Sequence, residues 1–485
     1  MLIILKDHFW QILVVLNYIF VVFTAFSLIL SNTNPTRTFS YLLILVLFPY
    51  VGLVIYYLFG QQYRKNKIFK RKNILNQAKI KRWQHKLELN KDELAVFEKQ
   101  VVEDKIKLIK LLHSCQEAPL TKHNKIDLLN NGDAVFKALF ADVNRAQKTI
   151  HLEYYIFNDD TIGGQLINLL CKKAAQGVKV RLSYDSVGSQ LSNTTKRKLL
   201  ACGVEYHPFM PVYFPKFTGK LNYRNHRKIV VIDGKIGYVG GVNVSDRYVN
   251  SLSKNFWRDT HVRIEGEAVG SLQLNFLLNW DFVTDEEDIK VETDFFPEIK
   301  CPYNIPIQIA ASGPDTDWAN IMEVIFLAIN SARKNVYITT PYFIPNDEIL
   351  GSILTAAKCG IDVKLIIPKH SDSWAAKYAS ASFIDRLLEA GVKVYFYKKG
   401  FVHSKTMIVD DVFATVGTSN MDYRSFNINF EINAVVYDRG FTEELLQSFM
   451  QDLENCEMVI PDRWANRPFL QKIKESFCRL WAPVL

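Results

Sequence analysis

The chain has 485 residues, of which 48% are hydrophobic and 22% charged. This length suggests about three structural units, and the composition excludes a disordered chain, a collagen and a simple coiled coil. Lysine and arginine outnumber aspartate and glutamate by 59 to 50, which gives a formal net charge of +9. Residues 61–90 hold ten basic side chains and one acidic one, so this segment alone carries the excess. A nucleic-acid-binding protein spreads its basic residues over a binding face, and no nucleic-acid partner is therefore expected.

Two uncharged apolar segments stand near the N-terminus, at Phe9–Leu30 and at residues 41–60. About 20 apolar residues cross a bilayer as a helix, so we predict a transmembrane helical hairpin over residues 1–62. A cleaved signal peptide and two buried soluble helices are the alternatives. The signal peptide is disfavoured because Lys6 is offset by Asp7, no small-residue cleavage site follows, and the second segment would remain.

Loop charge predicts the orientation of this hairpin. The link between the segments carries one basic residue, Arg37, whereas ten follow the second segment. Because basic residues remain in the cytoplasm, we expect a protein of the cell membrane with two spans and with both termini and the catalytic lobes in the cytoplasm. Residues 63–118 are predicted to be basic linker helices, either on anionic lipid headgroups or in solvent.

The remainder of the chain alternates short β-branched runs with helical stretches. Strands are predicted at 149–157 and 178–184 around a helix at 162–176, and the same order returns at 335–343, 349–358 and 362–367. Strand, helix and strand in succession indicate an α/β fold. We therefore predict two similar lobes of mixed sheet flanked by helices, over residues 119–295 and 296–485.

One motif occurs twice, and each residue of the second copy lies 177 positions after its counterpart. The copies comprise His226, Lys228, Asp233 and Asn243, and His403, Lys405, Asp410 and Asn420. On a strand, the His and the Lys of each copy would share one face. One imidazole could attack phosphorus while the other protonates a leaving alkoxide, and the lysines and asparagines could bind the phosphate oxygens. Because no residues have metal-ligand or nucleotide-loop spacing, neither a metal nor a cofactor is expected.

The paired motifs resemble the phospholipase D superfamily, and together with the N-terminal segments they resemble its bacterial cardiolipin synthases. Further stretches that carry the resemblance lie at residues 49–64, 149–160, 184–189, 256–262, 340–345 and 425–433. The resemblance implies two lobes that share one active site. It also implies a phosphohistidine formed from one phosphatidylglycerol with release of glycerol, and attack by a second phosphatidylglycerol. In the family the first-motif histidine, here His226, is the nucleophile, and His403 is then the general acid and base.

Two alternatives remain for the function. A membrane-bound phospholipase D would hydrolyse the same intermediate to phosphatidic acid, because water and a lipid hydroxyl are both possible acceptors. A membrane-anchored scaffold with degenerate lobes is disfavoured by two intact motifs. Phosphatidylglycerol and anionic membrane lipids are the expected partners, and the sequence leaves the oligomeric state open.

Each reactive imidazole needs a group that orients its second ring nitrogen. Asp233 and Asp410 stand five residues beyond their lysines and so would face away from the histidines on a regular strand. Although they belong to the catalytic motifs, we expect them to close the turn after the strand or to pair with a basic group. Asp259 and Glu431 are better candidates, and we expect them to contact His226 and His403 respectively. An inter-strand salt bridge is the alternative.

Three further features concern residues outside the motifs. The seven cysteines are odd in number and without CxxC spacing, which predicts reduced thiols rather than a disulfide framework. Residues 469–485 have apolar side chains at helical spacing, and this segment could lie on the membrane or pack against the second lobe. Trp374 could equally face lipid or the core.

Overall fold

The computed structural model describes residues 8–30, 35–56, 81, 83, 87, 105–113, 118–211, 223–284, 293–299, 301–314, 316 and 319–482. Most of the predicted linker, including nearly all of the basic segment 61–90, lies outside the described residues. The chain forms two compact units, which are residues 1–65 with 212–223, and residues 66–211 with 224–485.

The N-terminal unit contains the helices α1 (Phe9–Leu30), α2 (Pro35–Leu47) and α3 (Pro49–Ile55). Among the described residues, α1 is the one helix that is long and apolar enough to cross a membrane. The second predicted span is divided, because Phe48 leaves the helical conformation (φ −136°, ψ 69°) and Pro49 begins a new helix. Proline lacks a backbone N–H and disfavours helical geometry at the residue before it. The predicted two-helix hairpin is therefore not confirmed.

The first lobe of the larger unit is built on a seven-stranded mixed sheet, in the order β1-β8-β6-β5-β2-β3-β4. Its strands, with the short β7 outside the sheet, are β1 (Asn124–Asn130), β2 (Thr149–Tyr154), β3 (Lys179–Asp185), β4 (Glu205–Phe209), β5 (Ile229–Ile232), β6 (Ile236–Gly240), β7 (Trp257–Arg258) and β8 (Thr260–Gly266). Strands β2, β3 and β4 are parallel and the others pair antiparallel.

The second lobe has an eight-stranded sheet in the order β9-β18-β16-β15-β10-β12-β13-β19. The first seven strands in this order correspond one by one to those of the first lobe, and β19 is added at the edge. The strands of the second lobe, with β11, β14 and β17 outside the sheet, are β9 (Ile307–Ser312), β10 (Asn335–Thr339), β11 (Phe343–Ile344), β12 (Asp362–Pro368), β13 (Lys393–Tyr397), β14 (Phe401–Val402), β15 (Thr406–Val409), β16 (Phe413–Gly417), β17 (Met421–Asp422), β18 (Glu431–Val436) and β19 (Cys456–Met458). The predicted pair of mixed-sheet lobes is thus confirmed.

Helices pack against both sheets of the larger unit, and those at 268–284 and 439–454, which follow β8 and β18, contribute to the core between the sheets. The helices of this unit are α4 (Ile106–His113), α5 (Asn131–Arg145), α6 (Thr161–Ala175), α7 (Asn193–Ala201), α8 (Ala268–Thr284), α9 (Asn320–Asn330), α10 (Asp347–Lys358), α11 (Trp374–Ala381), α12 (Ile384–Glu389), α13 (Tyr423–Asn427), α14 (Arg439–Glu454), α15 (Pro461–Ala465) and α16 (Phe469–Arg479), with 3-10 turns at Asp246–Tyr248 and Thr293–Phe295. The predicted strand 335–343 is interrupted after Thr339, and the other predicted elements differ at their ends by at most three residues.

The two sheets pack face to face through one shared apolar core. Ile229 and Val231 of β5 point into this core from the first lobe, and Ile408 of β15 and Ile432 of β18 point into it from the second. The alternate residues of β5, such as Val230, pack against the outer helices instead. Strands buried on both faces account for the continuous apolar runs in the sequence.

The motif aspartates close turns at the far ends of β5 and β15. Both residues have positive φ, 52° at Asp233 and 55° at Asp410. The Asp233 carboxylate accepts hydrogen bonds from the backbone N–H groups of Gln147, Lys148 and Thr149 at 2.7–2.9 Å. Asp410 accepts from the backbone of residues 333–335 and from Lys105 Nζ at 2.9 Å. These contacts are those of turn-closing groups and not of imidazole partners.

The prediction of reduced thiols is wrong at one pair of residues. Cys171 near the C-terminal end of α6 and Cys202 just after α7 form a disulfide, with their Cα atoms 5.3 Å apart. This separation lies in the range that a disulfide requires. The two residues are 31 positions apart in the sequence, and only the packing of α6 beside α7 brings them together.

We predict that Asp410→Asn destabilises the protein by about 3 kcal/mol while residual turnover per folded molecule stays within about tenfold of wild type. Asparagine tolerates the positive φ but leaves the Lys105 ammonium, 3% exposed, without its carboxylate. Thermal unfolding of the detergent-solubilised protein measures the first effect. Asp411→Asn is the matched control, because that carboxylate pairs with Lys334 at an exposed site. Full stability with lost turnover in Asp410→Asn would show a catalytic role instead.

Candidate active site

The motif histidines and lysines lie just before the strands and not within them. Strand β5 begins at Ile229, after His226 and Lys228, and β15 begins at Thr406, after His403 and Lys405. The predicted common strand face therefore does not position these side chains. All four are buried, and contacts with the opposite lobe position them.

Two short parallel pairings connect the lobes directly before these histidines. Asn225 of the first lobe forms a bridge with Phe430 of the second, and β14 pairs with β7 so that Val402 lies opposite Arg258. The backbone N–H of His226 donates to the Phe430 carbonyl at 3.0 Å, and that of His403 donates to the Arg258 carbonyl at 2.7 Å. The residue after each partner is a carboxylate, so each histidine is placed beside an acid of the other lobe.

The histidine–carboxylate pairs are accordingly crossed. His226 Nδ1 lies 3.0 Å from both carboxylate oxygens of Glu431, and His403 Nδ1 lies 2.7 Å from Asp259 Oδ2. The predicted carboxylates do contact the histidines, but the predicted pairing within each lobe is wrong. Because an ionised carboxylate can only accept a hydrogen bond, Nδ1 carries the hydrogen in each ring, and Nε2 is the nitrogen available for reaction.

Burial lowers the pKa values of the two site lysines. Each lysine ammonium donates to the backbone carbonyl of its own motif histidine, Lys228 at 2.7 Å. Burial lowers the pKa of Lys228 to about 7, against the opposing charge of Glu431. Burial likewise lowers the pKa of Lys405 to about 8, against the charges of Asp259 and Glu431. An anionic phosphate in the site would favour the charged form of both lysines.

The two histidines differ in their electrostatic surroundings. Burial lowers the pKa of His226, and Glu431 partly offsets this effect. Burial, Lys405 and Lys228 together lower the pKa of His403 well below its ordinary value. Both rings are therefore neutral at neutral pH in the absence of substrate. A bound phosphodiester would reduce the positive field on His403 and allow it to take up a proton.

The two carboxylates are also inequivalent, and the residues at positions 418 and 241 contribute to the difference. Thr418 Oγ1 donates to Glu431 Oε2 at 2.5 Å. Burial raises the pKa of Glu431, but His226, Lys228 and the Thr418 hydrogen bond outweigh it, and the net pKa is lowered. In the first lobe Gly241 takes the place of Thr418, and a Cβ there would lie 2.0 Å from Asp259 Oδ1. Burial raises the pKa of Asp259.

The predicted phosphate-binding asparagines lie in the same region. Asn243 Oδ1 accepts from the backbone N–H of Ile156, and its Nδ2 donates to the Tyr248 hydroxyl at 2.7 Å. The Tyr248 ring centroid lies 5.8 Å from that of His403. Asn420 Nδ2 donates to Asp422 at 2.9 Å. Each amide nitrogen has a second hydrogen that could reach a phosphate oxygen, whereas Asp233 and Asp410 lie at the opposite ends of their strands.

Several neighbours of the site were not predicted as site residues. The Tyr155 ring lies 5.0 Å from the His226 ring, and Lys228 Nζ lies 5.5 Å above it. The Trp257 ring lies 5.2 Å from the His403 ring, and the Arg247 guanidinium lies 5.4 Å above Trp257. Arg247 and Arg424 are related by the same 177-residue offset as the motifs, and this offset could have identified Arg247 as a site residue. Aromatic residues are too common in protein cores to be recognised as site residues from sequence.

Two family models match parts of this chain. A family model described as "Cardiolipin synthase, PLD-like domain" matches twice, at residues 139–269 and 325–453, once in each lobe. A second family model, "Phospholipase_D-nuclease N-terminal", matches residues 19–61. In fold, the chain is similar to a phosphatidylserine synthase of Haemophilus influenzae Rd KW20, with a TM-score of 0.57 at 14% identity, over 79% of this chain and 100% of that one.

Curated relatives match the chain over nearly its full length. A cardiolipin synthase of Geobacillus kaustophilus is 40% identical, over 99% of this chain and 96% of the relative. Cardiolipin synthase 2 of Bacillus anthracis is 41% identical, over 94% of this chain and 88% of the relative. Cardiolipin synthase 2 of Staphylococcus epidermidis is 39% identical, over 96% of each.

We predict that Glu431→Gln lowers kcat/KM by about 10³-fold, because a neutral amide cannot stabilise positive charge on His226. Loss of the Glu431 charge also lowers the pKa of His226 further, so the acid limb of the kcat/KM profile moves to lower pH. Glu457→Gln is the matched control, since Glu457 is exposed on β19 and pairs with Lys369. A loss of activity in Glu431→Gln with an unmoved acid limb would contradict the contact with His226.

We predict that kcat/KM falls as the pH rises through about 7 to 8, where Lys228 and Lys405 lose their protons in the substrate-free site. The kcat value should fall less, because bound phosphate keeps both ammonium groups charged. Profiles of both constants between about pH 6 and pH 9 measure the difference. The variant Lys228→Arg, whose guanidinium does not deprotonate, should lose part of the alkaline decline. Equal declines in kcat and kcat/KM would contradict this assignment.

Proposed function

The chain belongs to the cardiolipin synthase family, phosphatidyltransferases of the phospholipase D superfamily, and on this basis we propose that it transfers a phosphatidyl group from one phosphatidylglycerol to another, with release of glycerol. The crossed pairs His226–Glu431 and His403–Asp259 are the observation that carries this proposal. They supply two oriented imidazoles within one buried site, as a two-step phosphoryl exchange requires.

In the first step, His226 Nε2 attacks the phosphorus of the first phosphatidylglycerol. A bond forms between nitrogen and phosphorus, and the bond from phosphorus to the headgroup glycerol oxygen breaks. His403, protonated once the anionic phosphate is bound, gives its Nε2 proton to that oxygen, and glycerol leaves. The ammonium groups of Lys228 and Lys405 stabilise the negative charge on the equatorial oxygens, and the asparagines Asn243 and Asn420 donate hydrogen bonds to them.

In the second step, the headgroup hydroxyl of another phosphatidylglycerol attacks the phosphohistidine. His403, now neutral, accepts the hydroxyl proton, and the bond between phosphorus and His226 breaks. One phosphodiester is formed for each one consumed, so no nucleotide is needed to drive the exchange. Cardiolipin leaves, and both imidazoles return to their starting states.

The asymmetry of the carboxylates supports the choice of His226 as nucleophile. A phosphorylated imidazole that keeps its Nδ1 hydrogen carries positive charge, and an ionised neighbour stabilises it. Glu431 is held ionised by His226, by Lys228 and by the Thr418 hydroxyl, whereas burial raises the pKa of Asp259. Glu431 and Asp259 are proposed as positioning residues, and Asp233 and Asp410 as turn-closing members of the motif.

For the membrane arrangement, we propose that α1 and the divided α2–α3 segment form two spans within residues 1–62. The abundance of basic residues in 63–118 supports a cytoplasmic location for both termini and for the catalytic lobes, 119–295 and 296–485. The match of residues 19–61 to an N-terminal family model supports treating this part as a separate N-terminal domain. Phosphatidylglycerol in the cell membrane is then both donor and acceptor.

We predict that His226→Ala and His403→Ala each lower turnover by more than about 10³-fold, because each lobe supplies half of the acid–base pair. Product analysis with phosphatidylglycerol vesicles should yield free glycerol and cardiolipin for the wild-type protein. His123→Ala is the matched control, because that side chain is exposed and contacts Asn304. Phosphatidic acid as the main product would instead support a hydrolase, and activity within tenfold of wild type in either variant would contradict a shared site.

We predict that rapid quenching with phosphorus-labelled phosphatidylglycerol traps label on a peptide that contains His226. Mass spectrometry of the alkaline digest identifies the peptide, since phosphohistidine survives at high pH. Label on the peptide that contains His403 would reverse the two roles without changing the overall reaction.

A further inference from the structure

The C-terminal helix α16 packs with one face and exposes the other. Glu475 is 2% exposed and Cys478 is 1% exposed, and both face the second lobe. The opposite face and the residues after it remain exposed although most are large and apolar. These side chains are Phe469, Leu470, Ile473, Phe477, Leu480 and Trp481. Exposed apolar residues in one contiguous group mark an interaction site.

Helix α11 extends this surface. Lys474 Nζ of α16 lies 5.6 Å from the ring of Tyr378 in α11, and the Tyr378 ring lies 5.3 Å from that of Trp374. Trp374 begins α11 and is 57% exposed. We call Trp374 and the six exposed residues of the C-terminal segment the C-terminal apolar face.

A chain of contacts connects this face to the active site. The rings of His403 and Phe401 lie 5.9 Å apart, and those of Phe401 and Tyr342 lie 6.5 Å apart. The Tyr342 hydroxyl donates to Asp372 at 2.6 Å, two residues before Trp374. The charge of Asp372 acts on the Lys405 ammonium. The Trp374 end of the C-terminal apolar face is therefore connected to His403 through Asp372, Tyr342 and Phe401.

The exposed charge on α11 and α16 is positive, although the exposed Asp372 lies just before α11. Lys377, Lys474 and Arg479 are exposed on α11 and α16. Glu475 is buried, and its carboxylate accepts from Arg467 Nη2 at 2.7 Å. An apolar surface bordered by lysine and arginine is suited to the headgroup region of an anionic bilayer, and tryptophan favours this region.

We propose that the C-terminal apolar face inserts into the surface of an anionic membrane and places the rim of the active site against the lipid headgroups. This inference rests on the proposed function in that the substrate is a membrane lipid, and it adds the surface by which the catalytic lobes meet that membrane. A phosphodiester in the headgroup layer would then enter the site without leaving the bilayer. A second copy of the chain on this face is the competing occupant.

Fluorescence quenching by brominated lipid tests the contact without any turnover. The full-length His403→Ala protein is placed in phosphatidylglycerol vesicles with and without dibrominated acyl chains, and it is compared with the same protein that also carries Trp481→Phe. If Trp481 is inserted, brominated lipid quenches its fluorescence. The Trp481→Phe protein should therefore lose quenched fluorescence and keep the unquenched part unchanged. Trp280→Phe is the control, since Trp280 is buried in the first lobe and its removal should deplete the unquenched fraction. An unquenched Trp481 would overturn the proposal, and the result does not depend on the proposed reaction.

Turnover with two physical forms of the substrate provides the second test. The double variant Phe477→Ser, Leu480→Ser should turn over vesicle phosphatidylglycerol about tenfold more slowly and should act on dispersed short-chain phosphatidylglycerol like wild type. Leu200→Ser with Leu252→Ser is the matched control, because both leucines are exposed in the first lobe. Equal losses on both substrate forms, no loss on either, or a fall in oligomeric mass in the double variant would overturn the proposal.

Discussion

The active site depends on two short backbone pairings between the lobes. Asn225 pairs with Phe430, and Val402 pairs with Arg258, in each case one residue before a histidine and one residue before a carboxylate. Because the paired segments run parallel, the residue after each paired position lies beside the residue after its partner, so each histidine lies beside a carboxylate. Each imidazole is thus held by an acid of the other lobe, and a separate lobe would contain a histidine without its carboxylate.

The second constraint is the burial of charge in the site so formed. Two lysines, two histidines and two carboxylates lie within one buried region, where isolated charges are costly. Both carboxylates favour the charged forms of Lys228 and Lys405 and so offset part of the cost of burying the positive charges. The balance is incomplete without substrate, as the low pKa of His403 and the pKa values of about 7 and 8 at the lysines indicate. An anionic phosphodiester would supply the missing negative charge. The same electrostatic attraction would then favour both substrate binding and the protonation of His403.

The two lobes are similar in topology but differ in ways that matter for the chemistry. The Thr418 hydroxyl contacts Glu431, whereas Gly241 leaves its space to the Asp259 carboxylate. The second lobe also carries the C-terminal helix, whose exposed apolar residues have no equivalent in the part of the first lobe that the structure describes. The duplicated fold thus contains one histidine, His226, whose neighbouring carboxylate can stabilise positive charge. It also contains one lobe, the second, whose surface is suited to contact with lipid.

The sequence by itself determined the two lobes, the paired motifs and the types of residue in the site, because strand patterns and repeated spacing depend on local chemistry. It also contained a signal that was missed, since Pro49 within the apolar segment 41–60 predicts the break between α2 and α3. Asp259 and Glu431 could be recognised as acids in apolar surroundings, but their partners could not. The crossed pairing and the Cys171–Cys202 disulfide depend on which segments approach each other in space. Residues 144 and 205 positions apart become neighbours only when the two sheets pack, and no local spacing in a sequence records that contact.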